Sequence, residues 1–173
     1  MVPQSSPEPD RELGDPAELF VLFLDYYRKA ITTKVDGLDE EQLRSAVLPS
    51  GWTPLGLVKH LAFMERRWIV WGFLGRDVDE PWGDSDPDGP GWRVRDDETL
   101  ADLLAAMRDG AVTTAEVARS HALTDSAAET GRFAGESRVP TLAWTLFHVL
   151  QEYARHAGHL DVVRELIDGA TGE

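Results

Sequence analysis

His148-Val-Leu-Gln-Glu152-Tyr-Ala-Arg-His156-Ala-Gly-His159 places three histidines and one glutamate within a twelve-residue, strongly helical segment. An α-helix turns by about 100° and rises by about 1.5 Å per residue, so side chains four positions apart share one face and lie about 6 Å apart. Glu152 and His156 are therefore placed to bind one metal ion together. Such pairs also arise by chance on amphipathic helices, so this interpretation needs a further ligand from elsewhere in the chain.

His60 is the candidate for that further ligand. It lies in an apolar segment in which Leu57, Leu61 and Met64 follow the three-and-four spacing of a buried helix face. His60 stands at the edge of this face, and we expect its side chain to point inward or sideways. Taken alone, the segment favours a hydrogen-bonded core histidine over a ligand. The pair formed by Glu152 and His156 shifts the balance towards a ligand.

The residues that begin and end helices predict an all-α fold, a four-helix bundle with long inter-helix loops. Asp15-Pro16 combines a favoured N-cap with proline at the first helical position. Thr53 or Ser50 is the predicted cap of the second long helix, and Pro54 is well placed at its start. Gly169 suits the position just after the last helix. The predicted helices span about 16–36, 54–74, 98–120 and 140–168, with a short helical turn at 38–43.

Two long connections and two tails complete the predicted organisation. Prolines, glycines and aspartates crowd the segment 75–97, which we expect to form a loop over one end of the bundle. Trp82 and Trp92 in this loop either line a substrate mouth or anchor the loop to the bundle. The second connection spans 121–139. We expect residues 1–14 to be a disordered tail, residues 15–169 a single domain and residues 170–173 a C-terminal tail.

Composition narrows the classes of function. The 173 residues are 42% hydrophobic and 28% charged, as in an ordinary soluble domain. The net charge of −14 disfavours nucleic acid and anionic membranes as partners. The chain has no cysteine, so any reactive thiol must come from outside. The sequence also contains no run of eighteen apolar residues, and its first ten residues do not have the features of a signal peptide. We expect a cytoplasmic protein.

Gly51-Trp52-Thr53 before the His60 helix, followed about ninety residues later by Glu152-x-x-x-His156-Ala-Gly-His159, resembles the DinB superfamily of four-helix metalloproteins. The resemblance covers residues 16–169. It is nearest to the branch of the mycothiol-dependent maleylpyruvate isomerases and their uncharacterised actinobacterial relatives, which is similar to this chain in having Glu at position 152. The resemblance implies that His60, Glu152 and His156 bind a divalent metal, usually zinc or nickel, and it assigns no ligand role to His159.

Two imidazoles and one carboxylate leave coordination positions open, as catalytic metal sites do. The resemblance implies that an external thiol such as mycothiol binds there as a thiolate, and hence a thiol-dependent S-transferase or isomerase acting on a small electrophile. The same ligands also match the facial triad of non-haem iron enzymes. The alternative is a non-catalytic, stress-associated helical binding protein in which the metal is structural or absent. A homodimer formed through helix faces is compatible with either interpretation.

Two further histidines are candidates for the site. His148 lies one helical turn before Glu152, and we predict a catalytic role for it. It would orient Glu152 or replace His156 as a ligand, and the alternative is a helix-face histidine that contacts a loop. His159 is either a surface histidine beside Asp161 or a proton-transfer group.

Three arginines have two interpretations. They could bind a carboxylated substrate or the thiol cofactor, but on helices this acidic they are more often ion-pair partners. The residues are Arg66, Arg67 and Arg155.

Overall fold

A computed structural model describes residues 7–79 and 92–171. These residues form five α-helices: α1 (Pro16–Val35), α2 (Glu40–Leu43), α3 (Pro54–Arg66), α4 (Leu100–Ser120) and α5 (Leu142–Asp168). A π-helix, Arg67–Phe73, continues α3, and a short 3-10 helix spans Gly131–Phe133. Within the described ranges the chain has no β-strand, only an isolated bridge between Ser126 and Thr141. The predicted all-α fold is confirmed.

Some predicted features lie outside the described residues. They are residues 1–6 of the N-terminal tail, residues 80–91 of the long loop with Trp82, and residues 172–173 at the C-terminus. In the part of the chain that is described, no helix is both long and apolar enough to cross a membrane.

The four long helices pack around one core. α1 packs against α4 and α5, and α3 packs against the same two helices from the other side. Apolar side chains from all four helices, including Leu24, Leu61, Met107 and Leu146, are almost completely buried between them. Burial of this apolar surface is the main stabilising contribution to such a bundle.

The helix ends agree with the predicted caps. The Asp15 carboxylate accepts hydrogen bonds from the first turn of α1, and the Thr53 hydroxyl accepts one from the backbone N–H of Gly56. Gly169 has a φ of 77°, a left-handed conformation that is easiest for glycine, and it ends α5. These contacts satisfy backbone groups that a helix end leaves without partners.

The second long helix differs from the prediction of one regular α-helix to residue 74. It changes at Arg67 into a π-helix that runs to Phe73. The 3-10 segment packs against this stretch, and a Cβ on Gly72 would lie 3.3 Å from the Phe133 ring. π-helices are rare and often mark functional sites.

A buried polar network connects all four long helices. The Glu65 carboxylate of α3 is 1% exposed and accepts hydrogen bonds from Arg28 of α1, Thr114 of α4 and Tyr153 of α5. The Tyr153 hydroxyl lies 2.7 Å from Glu65 Oε2. Every partner of this buried charge is itself buried, so the network fixes how the helices align. Because Tyr153 follows Glu152 in α5, it also fixes the backbone at the candidate metal centre.

Candidate metal centre

The structure brings His60 of α3 together with Glu152 and His156 of α5. One ligand atom from each residue lies within 4.8 Å of the others. The Nε2 atoms of His60 and His156 each lie 3.3 Å from Oε2 of Glu152. Ligand atoms about 2.1 Å from one tetrahedral ion are roughly 3.4 Å apart. The two separations from Glu152 therefore suit donors that share one metal ion.

The protonation states of the three side chains suit a cation. Burial lowers the pKa of His60 to about 4, although Glu152 opposes this effect. Burial and the neighbouring charge of His60 lower the pKa of His156 to about 4. Burial alone would raise the pKa of Glu152, but the His60 hydrogen bond and the positive potential of His156 and His60 outweigh it and lower that pKa. At neutral pH the site therefore offers two neutral imidazoles and one carboxylate, the forms that bind metals.

Trp92 covers one side of the two imidazoles. Its ring stacks on His60 with centroids 4.4 Å apart and meets His156 edge-on at 5.1 Å. Gly56 permits this approach, because a Cβ there would lie 2.7 Å from the Trp92 carbonyl oxygen. Trp92 thus packs against the bundle and borders the site at the same time.

The backbone that follows Trp92 is anchored to the helix carrying His60. The Lys59 ammonium group is buried and donates to the Arg93 carbonyl at 2.8 Å and to the Glu98 carboxylate at 2.7 Å. Removing one partner of a buried ion pair strongly destabilises a protein, because the other charge is then buried without a partner. The pair therefore holds the end of the long loop beside the site.

His159 lies behind His156. The Nδ1 atoms of the two rings are 3.2 Å apart, a hydrogen-bond distance, so one of them carries the proton. Asp161, the neighbour considered from the sequence, instead pairs with Lys34 of α1. His159 is half-buried and also lies 6.2 Å from the Trp52 ring. This position suits a residue that orients His156.

His148 lies beside the three ligand candidates and is not part of their group. Its ring lies 4.0 Å from the Trp68 ring and stacks on Trp144, with centroids 5.4 Å apart. Burial lowers the pKa of His148, and the nearby charge of Arg132 adds to this effect while Glu152 opposes it. His148 is therefore neutral at neutral pH and close to the carboxylate.

The three arginines considered from the sequence lie in different environments. Arg67 is buried in the π-helix, and burial together with the charge of Arg132 lowers its pKa to about 10. Arg66 donates to the backbone carbonyl of Asp79 and lies over the Phe63 ring. Arg155 is exposed on α5.

Sequence reasoning missed Arg132. Its guanidinium lies 4.3 Å from the centre of the Trp68 ring, close to His148 and Arg67. The segment 121–139 has no helical or strand periodicity, and a glycine before the arginine was the only local signal of a fixed turn.

Comparison with known proteins identifies a family that matches most of this chain. The family model described as mycothiol S-transferase matches residues 19–169. No curated protein matches the chain. The match covers nearly all of the bundle and includes the helices that carry His60, Glu152 and His156. This chain therefore belongs to the mycothiol S-transferase family.

Proposed function

We propose that this protein is a metal-dependent S-transferase that joins mycothiol, or a similar low-molecular-weight thiol, to a small electrophile. His60, Glu152 and His156 are the proposed metal ligands. The observation that carries the proposal is their convergence from two helices, with all three ligand atoms within 4.8 Å. The family match supports a thiol as the partner, and the absence of cysteine from the chain agrees with a thiol supplied from outside.

Zinc or nickel suits a donor set of two imidazoles and one carboxylate. When bound, such a metal supplies Lewis-acid stabilisation of a thiolate at neutral pH and keeps positions open for exchange. In the overall transfer the thiol S–H bond breaks and a sulfur–carbon bond forms. The leaving group departs with its bonding electrons, or the proton goes to the substrate when the reaction is an addition.

His148 is the proposed proton acceptor. Its lowered pKa keeps the imidazole neutral at neutral pH, so a ring nitrogen is able to accept the thiol proton. The neighbouring rings of Trp68 and Trp144 both pack against the His148 ring. Trp92 covers one face of His60 and contacts His156 edge-on. Reduced contact with water strengthens electrostatic interactions within the site.

An isomerase that uses a thiol would need the same ligands and the same external thiol. We name a transferase because the matching family model is that of the mycothiol S-transferases. A product that contains the thiol covalently distinguishes the two reactions, since an isomerase releases the thiol unchanged.

The test is metal analysis of protein purified without chelators, compared with Glu152→Ala. The matched control is Glu165→Ala, which removes an exposed glutamate of the same helix. We expect about one equivalent of zinc or nickel in the wild type and the control and none in Glu152→Ala. Mycothiol and 1-chloro-2,4-dinitrobenzene then test for the thioether product by mass spectrometry. Equal metal content in all three proteins would reject the ligand assignment.

A further inference from the structure

We propose that Arg132 and Arg67, together with the rings of Trp68 and Trp144, form a subsite for a carboxylate carried by a planar, apolar electrophile. The description of the ligand as an electrophile rests on the proposed function. The anion site itself rests on the contacts and charges described below.

Arg132 is the central residue of the proposed subsite. Its half-buried guanidinium lies over the Trp68 ring at 4.3 Å and 5.9 Å from the Trp71 ring. Across residues 7–79 and 92–171, no carboxylate forms an ion pair with it. Burial lowers the pKa of Arg132, because removing a cation from water is unfavourable. A bound anion would reverse that penalty.

Arg67 places a second positive charge beside the first. Burial lowers the pKa of Arg67, and the proximity of Arg132 lowers it further. Burial also lowers the pKa of His148, and both guanidinium groups add to that effect. Glu152 faces the same groups and opposes these effects. Such convergence of cationic groups is unusual in a chain with a net charge of −14. Arginine binds planar carboxylates through two parallel hydrogen bonds, which favours a carboxylate over a spherical anion.

The backbone next to Arg132 is fitted closely to the π-helix. Gly131 has a φ of 58°, and a Cβ there would lie 2.3 Å from the Trp71 carbonyl oxygen. The preceding Thr130 donates a 3.1 Å hydrogen bond to the Gly75 carbonyl oxygen. Any larger residue at position 131 would push the segment away. The position of Arg132 is therefore built into the fold.

Exposed aromatic surface lies next to this charge. Trp144 is 51% exposed, although its ring stacks on His148 and lies 5.5 Å from the Trp68 ring. Large rings left half in solvent beside polar groups are typical of binding surfaces. His148 is one helical turn from Glu152, so a ring bound on Trp144 with its carboxylate at Arg132 would lie beside the candidate metal centre.

The binding test compares 4-chloro-3-nitrobenzoate with its neutral methyl ester by titration calorimetry. The proteins are the wild type, Arg132→Gln, Arg132→Lys and the control Arg108→Gln, which removes an exposed arginine of α4. We expect Arg132→Gln to weaken binding of the acid by about tenfold or more, as for loss of a charge-assisted hydrogen bond, and to leave the ester unchanged. Arg132→Lys should recover part of the affinity, and the control should match the wild type.

Metal content and melting temperature are measured on the same samples, so that a carboxylate bound to the metal or a misfolded variant is recognised. Equal affinity of the wild type and Arg132→Gln for the acid would overturn the subsite. So would a failure of the wild type to bind the acid more tightly than the ester.

Turnover with mycothiol tests the proposed S-transferase activity independently of the carboxylate subsite. In this reaction the sulfur–carbon bond forms, the carbon–chlorine bond breaks and chloride leaves with the electron pair. The thiol proton passes to His148 and from there to buffer. We expect Arg132→Gln to raise KM for the acid and to leave KM for the ester unchanged. No thioether from either compound, with binding of the acid still dependent on Arg132, would reject the S-transferase and retain the anion site.

Discussion

His159 supports His156 from behind, with the two Nδ1 atoms 3.2 Å apart. The Nε2 atom of His156 faces Glu152, so this is the nitrogen available to a metal. A ligating Nε2 leaves the proton on Nδ1, which then donates to Nδ1 of His159. The second histidine thus fixes both the tautomer and the ring orientation of the first.

We expect His159→Ala to weaken metal binding by about 10–100-fold, the usual effect of removing a group that orients a ligand. His159→Gln should retain most of the affinity, because its amide oxygen accepts the same hydrogen bond. Competition with a chromophoric chelator measures the affinity. His121→Ala is the control, since His121 is exposed and pairs with Asp125 at a distance from the site. Equal affinities of His159→Ala and the control would show that His159 has no orienting role.

The Glu65 network should dominate the stability of the bundle. Glu65→Ala leaves the Arg28 guanidinium buried without its main carboxylate partner and removes the acceptor of the Tyr153 hydroxyl. Breaking a buried ion pair from one side destabilises a protein by roughly 3–5 kcal/mol. Urea unfolding measures the loss, and Glu41→Ala, at an exposed position in α2, is the control.

Glu65→Gln keeps the shape and removes the charge, so we expect a loss smaller than that of Glu65→Ala. A Glu65→Ala variant as stable as the control would contradict the assignment of this network as a major stabilising contact.

Metal-free protein should lose stability in mild acid. The pKa of both His60 and His156 is lowered from 6.5 to about 4, so the unfolded chain takes up these protons before the folded chain does. The free energy of unfolding should therefore fall as the pH decreases from about 6.5 to about 4, by up to about 1.4 kcal/mol per pH unit for each histidine. The lowered pKa of Glu152 adds a loss of the same sign at the acidic end.

Urea unfolding in the presence of a chelator, between pH 4.5 and 7.5, measures this slope. His60→Gln removes one of the titrating groups and should give a shallower slope than the wild type. Parallel slopes in the two proteins would show that His60 does not resist protonation in the folded state.

Local signals in the sequence predicted much of this fold. Asp15, Thr53 and Gly169 act within one turn of their own helix ends, so their effects are independent of distant residues. Two of the candidate ligands could be predicted for a similar reason, since Glu152 and His156 are related by helical spacing alone. His60 lies on another helix. Its place at the edge of a buried helix face made it a candidate, and the family resemblance supported its pairing with Glu152 and His156.

Other parts of the site depend on contacts that are distant in sequence. Arg132 reaches Trp68 only because Gly131 fits against the carbonyl oxygen of Trp71. Trp92 contacts His60 next to the buried ion pair between Lys59 and Glu98, which are 39 positions apart in the sequence. The π-helix has an apolar, aromatic sequence that is equally suited to an α-helix, so nothing local distinguishes it.

Removal of a bound metal should distinguish a catalytic metal site from a structural one. The core and the Glu65 network do not include the candidate ligands, so we expect chelation to leave the helices folded. A ligand at a hundredfold excess over its Kd stabilises the folded state by ~2.7 kcal/mol, so its removal should lower Tm by roughly 5–10 °C in a domain of this size. Circular dichroism during heating, with and without a chelator, measures both quantities. Glu152→Ala should show no shift on chelation. Loss of helicity at room temperature would instead indicate a structural metal and favour a non-catalytic binding protein.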